Sequence, residues 1–340
     1  MKIVENKLLN NISLIKCITM FFVVLHHSLL FYSGTWFTAI TLSEGANYLY
    51  YISKLINIFI MPIFVFSSGF LFFYLKKNCN KYNNFKNDIK KRFNRLVIPY
   101  IFTSLFWAIP FSILFFGNSL LEIVKKYVLV TTPDQLWFLI MLFIEFVLFY
   151  VLSPKLKFSY FEFIVFFIIT FILSIVINKN VFQISTVNKY FIFYYYAGFL
   201  INKKNAYQND KLKFKFIFYI LMILLLYICY FENFLNFNLY VSKFVLIFLQ
   251  LIIVKFVYFI CVNYNMKYIT KTKVIKVLSS NSFGIYLFHQ QLIYIVLYFV
   301  NGLFHPILIS LCSLSLSILF SLLMVFILKK TKITKFMFGL

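Results

Sequence analysis

Acidic residues are scarce in this chain: nine Asp and Glu stand against 33 Lys and Arg in 340 residues, and charged residues make up only 12%. Soluble domains carry about 25% charged residues, so a soluble fold is excluded. Glycine (8) and proline (6) are also rare, and no Pro- or Gly-rich linker, internal repeat or soluble stretch divides the chain. One membrane domain over residues 1–340, with no fused soluble domain, is expected. The five cysteines (Cys17, Cys79, Cys229, Cys261 and Cys312) show neither CxxC nor Cys/His spacing. They imply no disulfide framework and no metal site. The first apolar run holds adjacent His26 and His27 and no small-x-small site follows it, which argues against a cleaved signal peptide.

What the chain has in abundance is apolar sequence, at 63% of residues. Ten runs can be read, at residues 12–33, 48–75, 96–116, 136–152, 161–177, 190–201, 214–230, 240–262, 282–300 and 306–328. Crossing about 30 Å of hydrocarbon takes about 20 residues. The expectation is an all-α integral membrane protein of about ten transmembrane helices. The net charge of +24 is not spread evenly. Basic residues crowd alternate connections, such as Lys86, Lys90 and Lys91 after the second run and Lys271, Lys273 and Lys276 after the eighth. This positive-inside asymmetry puts both termini in the cytoplasm, in a multi-pass protein of the cell (inner) membrane. The cations therefore face membrane lipids, and no nucleic-acid partner is expected. The 49 Phe and 25 Tyr are discounted, because an aromatic stripe in such a chain faces lipid or the interface.

Against this background a few polar residues stand out. An ionisable side chain at the centre of a membrane helix costs roughly 2.5–3.5 kcal/mol, so each is a functional candidate. Lys16 and His27 lie in the first run, eleven residues apart. At about 100° per residue they share a face to within about 20°, some 16 Å apart along the axis, while His26 is rotated about 100° away. Arginine occurs only twice, at Arg92 and Arg95 in KRFNRLVIPY. Three apart on a helix, they project from one face, and a guanidinium offers phosphate a planar fork that an ammonium cannot. They form a candidate phosphate clamp at the cytoplasmic mouth; the plainer reading is a lipid-facing anchor. Glu145, in the fourth run, should face the bundle interior, with Lys16, Lys255 or a histidine as partner. Four polar islands complete the set. Ser67, Ser68 and Gly69 lie in the second run, Trp137 opens the fourth, Gly198 lies in the sixth, and Ser282, Gly284, Tyr286 and His289 open the ninth. Small residues let helices approach closely, and Tyr286 and His289 share a face. His305-Pro306 reads as a helix start.

The ordered series LIKCITMFFVVLHHS, FVFSSGFLFF, KRFNRLVIPY, QLWFLIMLF and SFGIYLFHQ resembles the acyltransferase-3 family of integral-membrane O-acyltransferases, over essentially the whole chain. The resemblance implies a ten-helix domain that takes an acyl group, acetyl by family analogy, from cytoplasmic acyl-CoA and acylates a hydroxyl of a surface glycan or its lipid-linked precursor. The family's basic-residue, ten-spacer, histidine motif falls on Lys16 and His27, and its Arg-x-x-Arg pair on Arg92 and Arg95. Many members carry a fused extracytoplasmic esterase-like domain. Here the sequence stops at Leu340, so transfer is expected to be completed by the membrane domain or by a separate extracytoplasmic partner.

A sugar hydroxyl is a poor nucleophile and needs a base beside it as it attacks a thioester. A neutral imidazole can serve, which makes His27 the expected general base. Arg92 and Arg95 would hold the phosphates of acetyl-CoA, the donor substrate, and Lys16 would guide it inward, with no permanently bound cofactor. Lys16 and Glu145 join His27 as catalytic candidates, and Ser68, Trp137, Tyr286 and His289 line the cavity. Cys17 is too far from His27 along the helix to act as its nucleophile. The rival is a transporter or flippase for a lipid-linked sugar or acidic solute, which the buried Lys, His and Glu would also suit. Neither an inverted repeat nor paired broken helices supports it.

Overall fold

The computed structural model describes residues 2–33, 46–117, 119–128, 134–157, 159–176, 191–203, 212–236, 239–264 and 266–340. Among them every regular element is helical and no strand occurs. The long helices are α1 (Lys2–Leu30), α2 (Asn47–Asn78) and α3 (Phe85–Thr103), the last continued by a π segment (Ser104–Ala108) into α4 (Ile109–Phe116). They are followed by α5 (Leu120–Val128), α6 (Trp137–Leu152), α7 (Tyr160–Val176), α8 (Phe191–Lys203), α9 (Leu212–Asn236) and α10 (Leu239–Asn263). Then come α11 (Lys267–Lys271), α12 (Lys273–Val300), α13 (Pro306–Leu328) and α14 (Lys332–Met337). Among the described residues seven helices are long and apolar enough to cross a bilayer, and shorter apolar helices at Tyr160–Ile172, Phe191–Leu200 and Lys215–Ile228 take the places of the fifth to seventh runs. The run ends at Ile177 and Tyr190, together with Lys179, Lys204 and Lys211, lie outside the described residues.

Three helices start well before their apolar runs, α1 at Lys2 being the first. α3 begins at Phe85, eleven residues ahead of the expected Leu96, because a cap is available there. The Asn84 side chain accepts from the Asn87 N–H at 3.1 Å, and the Asp88 carboxylate accepts from the Asn84 N–H at 3.1 Å. These bonds satisfy two of the orphan donors of a helix end. Both arginines therefore sit inside a helix. α12 likewise begins at Lys273 and not at Ser282. The π segment precedes Pro110, whose missing N–H leaves the Phe106 carbonyl without its usual partner, and a locally widened helix absorbs that loss. As expected, His305-Pro306 opens α13, with the His305 ring accepting from the Ile307 N–H at 3.4 Å.

Packing follows the small residues. In lipid there is no hydrophobic drive between helices, so close approach and dispersion hold them together. α2 crosses α8 through Gly69 and Gly198: a Cβ on Gly69 would lie 2.2 Å from the Tyr195 carbonyl oxygen, and one on Gly198 would lie 2.4 Å from the Phe70 nitrogen. Gly284 does the same for α12 against Val325 of α13. α1 runs parallel to α12 along a seam that steps by four and three residues. Ser13 meets Ser279 at 2.9 Å, Cys17, Met20 and Val24 face Leu278, Ser282 and Ile285, and His27 meets His289 at 2.9 Å. That alternation is the spacing of coiled-coil packing.

Candidate active site

Two clusters lie on the α1 face that carries Lys16 and His27. The first is at the end of the bundle that bears the basic connections. Lys16 and Arg92 are within electrostatic reach of each other, so α1 and α3 bring two cations together. The Arg92 guanidinium donates to the Tyr82 hydroxyl at 3.0 Å and stacks 4.7 Å over the Phe146 ring of α6. Tyr82 holds a left-handed backbone conformation (φ 65°), costing a bulky residue on the order of 1–2 kcal/mol. Stacking against Phe72, with centroids 4.9 Å apart, and the bond to Arg92 offset that strain. Tyr195 of α8 is buried and within electrostatic reach of Arg92, Glu145 and Tyr82.

The two arginines are within electrostatic reach of each other but meet different neighbours. Arg95 donates to the Gly339 carbonyl and stacks 4.8 Å over Phe283 of α12. Gly339 is itself left-handed (φ +60°), and a Cβ there would lie 2.7 Å from Pro99. The segment after α13 thus packs against α3 and is held by Arg95. Arg92 faces the interior cluster.

The second cluster is the imidazole pair. His27, half-buried at the end of α1, sets Nδ1 2.9 Å from Nε2 of His289, and the rings stack with centroids 5.0 Å apart. His289 is fully buried, and its Nδ1 lies 2.9 Å from the Tyr286 carbonyl and 3.2 Å from that of Ile285. His26 points elsewhere, as the helical wheel predicts, to the Ser53 hydroxyl at 2.8 Å and the Ser53 carbonyl at 3.1 Å. Tyr286 donates to the Gln135 carbonyl, two residues before Trp137, whose ring stacks on Phe191 of α8.

Other expected residues behave differently. Glu145 does face the interior and is 3% exposed, but among the described residues neither carboxyl oxygen has a hydrogen-bond partner. Lys16, Lys255 and the histidines do not pair with it. The Ser68 hydroxyl bonds within its own helix, to the Phe64 carbonyl at 2.9 Å, and meets no histidine. Composition and spacing did not bring out Tyr82, Tyr195, Gln135 and Gln291. Gln135 donates to the Leu287 carbonyl at 3.0 Å and to Gln291 Oε1 at 2.8 Å, tying the start of α6 to α12 beside the imidazole pair. A signal existed for Gln291, an amide inside the ninth apolar run, since such a group seeks a partner across helices. No such signal marks two tyrosines among 25.

A family model described as an acyltransferase domain matches residues 9–326, and the chain belongs to that family, the acyltransferase-3 family. With its apolar helices, this makes it a multi-pass membrane acyltransferase. No curated protein and no solved structure matches the chain.

Proposed function

We propose that this acyltransferase moves an acetyl group from cytoplasmic acetyl-CoA to a hydroxyl of a cell-surface glycan or its lipid-linked precursor, with His27 as general base. One observation carries the reading. A single face of α1 holds Lys16, within electrostatic reach of Arg92, and about 16 Å deeper His27, braced against His289. A donor bound by its phosphates at the cationic end would reach into the bundle with its thioester directed to the imidazole. Arg92 and Lys16 take the diphosphate, and Arg95 flanks the mouth. Pantetheine amide N–H groups give the Glu145 carboxyl oxygens the donors that the described residues do not supply.

In the reaction the acceptor oxygen forms a bond to the thioester carbonyl carbon, and the hydroxyl proton passes to His27. The carbon–sulfur bond then breaks, and the imidazolium returns the proton to the departing thiolate, giving ester and free CoA. The basic connections and both termini face the cytoplasm, the chain crosses the cell membrane about ten times, and a separate extracytoplasmic partner can carry the acceptor. The test uses the full chain in lipid nanodiscs with labelled acetyl-CoA, and mass spectrometry of the surface glycan from strains with and without the gene. Saturable binding, weakened by Arg92→Gln, and loss of O-acetyl groups in the deletion strain are expected. No binding, or a glycan acylated as before, would overturn the proposal.

A further inference from the structure

The imidazole pair carries more than the identity of a base. A neutral imidazole has one N–H, and its position follows from the neighbours. His289 Nδ1 lies against two backbone carbonyls, those of Tyr286 at 2.9 Å and Ile285 at 3.2 Å. Carbonyl oxygens only accept, so the proton of His289 sits on Nδ1 and the lone pair on Nε2. That lone pair is 2.9 Å from Nδ1 of His27, which must therefore be the donor. The proton of His27 is then on Nδ1, and its lone pair on Nε2.

From this chain of bonds, backbone carbonyl to His289 to His27, we infer that His289 is a positioning residue that locks His27 in the Nδ1–H tautomer. Nε2 is thereby the nitrogen that takes the acceptor's proton. The inference rests on the reading of His27 as base and adds which nitrogen acts and what holds it. The lock is rigid. Its anchor carbonyls belong to the backbone of α12, three and four residues before His289, which is fully buried, and the α1–α12 seam sets the ring separation. A neutral acceptor is also a better orienter here than the carboxylate familiar from catalytic triads. It fixes the tautomer without placing a second charge in the membrane interior, where a charge demands compensation. When His27 is protonated in the reaction, its Nδ1–H still points at a lone pair, so the imidazolium keeps its partner.

The test combines kinetics and spectroscopy on the full chain. His289→Leu, similar in bulk and without an acceptor, should lower kcat on the order of 10²-fold, the lower end of what a general base contributes. KM for acetyl-CoA should stay within about twofold, since the phosphate-binding end is untouched. His289→Gln, whose side-chain oxygen can accept from His27 Nδ1–H, should recover much of the loss. In a His27→Ala background His289→Leu should cost nothing further, because the two act as one unit. The 15N spectrum of labelled wild-type protein should show His27 protonated at Nδ1 and bare at Nε2. His289→Leu with full kcat, while His27→Ala is inactive, would overturn the inference, as would a wild-type spectrum with the proton on Nε2. Should His289→Leu fail to insert, the His289→Gln kinetics and the wild-type spectrum still decide. If His27→Ala itself retains full transfer, the reading of His27 as base falls instead.

Discussion

Substituting Gly69 or Gly198 by Ala tests the packing that places Tyr195 beside Arg92. A Cβ at Gly69 would meet the Tyr195 carbonyl oxygen at 2.2 Å, and one at Gly198 would meet the Phe70 nitrogen at 2.4 Å and the Phe66 oxygen at 2.7 Å. All three are main-chain atoms, so no side-chain rotation relieves the overlap. The helices must part by about 1.2 Å to restore ordinary contact at 3.4 Å. Overpacking of this kind costs about 1–3 kcal/mol, whereas replacing Gly by Ala in a helix returns at most about 1 kcal/mol. The overlap is severe and rigid, so the cost should fall near the top of its range and leave each variant about 2 kcal/mol less stable. Parting the helices also disturbs the stack of Tyr195 on Phe149, whose centroids are 4.8 Å apart, and moves Tyr195 relative to Arg92. Thermal unfolding of the purified protein in detergent, with labelled acetyl-CoA binding on the same samples, reads both effects. Because one separation clears both contacts, the double variant should lose less than the two singles together. Singles that melt with the wild type, or losses that add in full, would refute the reasoning.

Three further outcomes follow, two from the arginines and one from α5. Arg92→Lys removes the fork that bonds Tyr82 and stacks on Phe146, and should weaken acetyl-CoA binding about tenfold, roughly 1.4 kcal/mol. Arg95→Lys should chiefly loosen the segment after α13, read as faster proteolysis within residues 331–340, since Arg95 holds the Gly339 carbonyl. Equal effects of both variants on binding, with no change in proteolysis, would contradict this split. Burial and the neighbouring Asp134 carboxylate push the Tyr127 phenol well above its usual range, and the phenol donates to Asp134 at 2.5 Å. The folded state thus keeps a proton that the unfolded chain gives up near pH 10. The stability it contributes is complete below that pH and is lost as pH rises further. Tyr127→Phe should be about 1 kcal/mol less stable at neutral pH and lose less than the wild type between pH 9 and about 11 in unfolding titrations, where parallel curves would rule the linkage out.

Much of the architecture was legible in the residue string because lipid is an undiscriminating solvent. It demands long apolar helices with their backbone bonds satisfied internally, and such runs are visible one at a time. The face shared by Lys16 and His27, the different direction taken by His26, the close-packing role of Gly69 and Gly198 and the start of α13 at Pro306 all follow from helical period or local chemistry. What crosses from one helix to another was not legible. Arg92 and Arg95 are equivalent by spacing, yet different neighbours take them, Phe146 and Tyr82 for the one and Phe283 and Gly339 for the other. Glu145 could be expected to pair, and only packing shows its oxygens without a partner among the described residues. His27 and His289 are 262 residues apart, and no local rule joins them; the parallel seam of α1 and α12 does, because its stepped spacing brings the two rings to the same height. Helical period decided which way each side chain leaves its own helix, and the contact between helices decided what it meets.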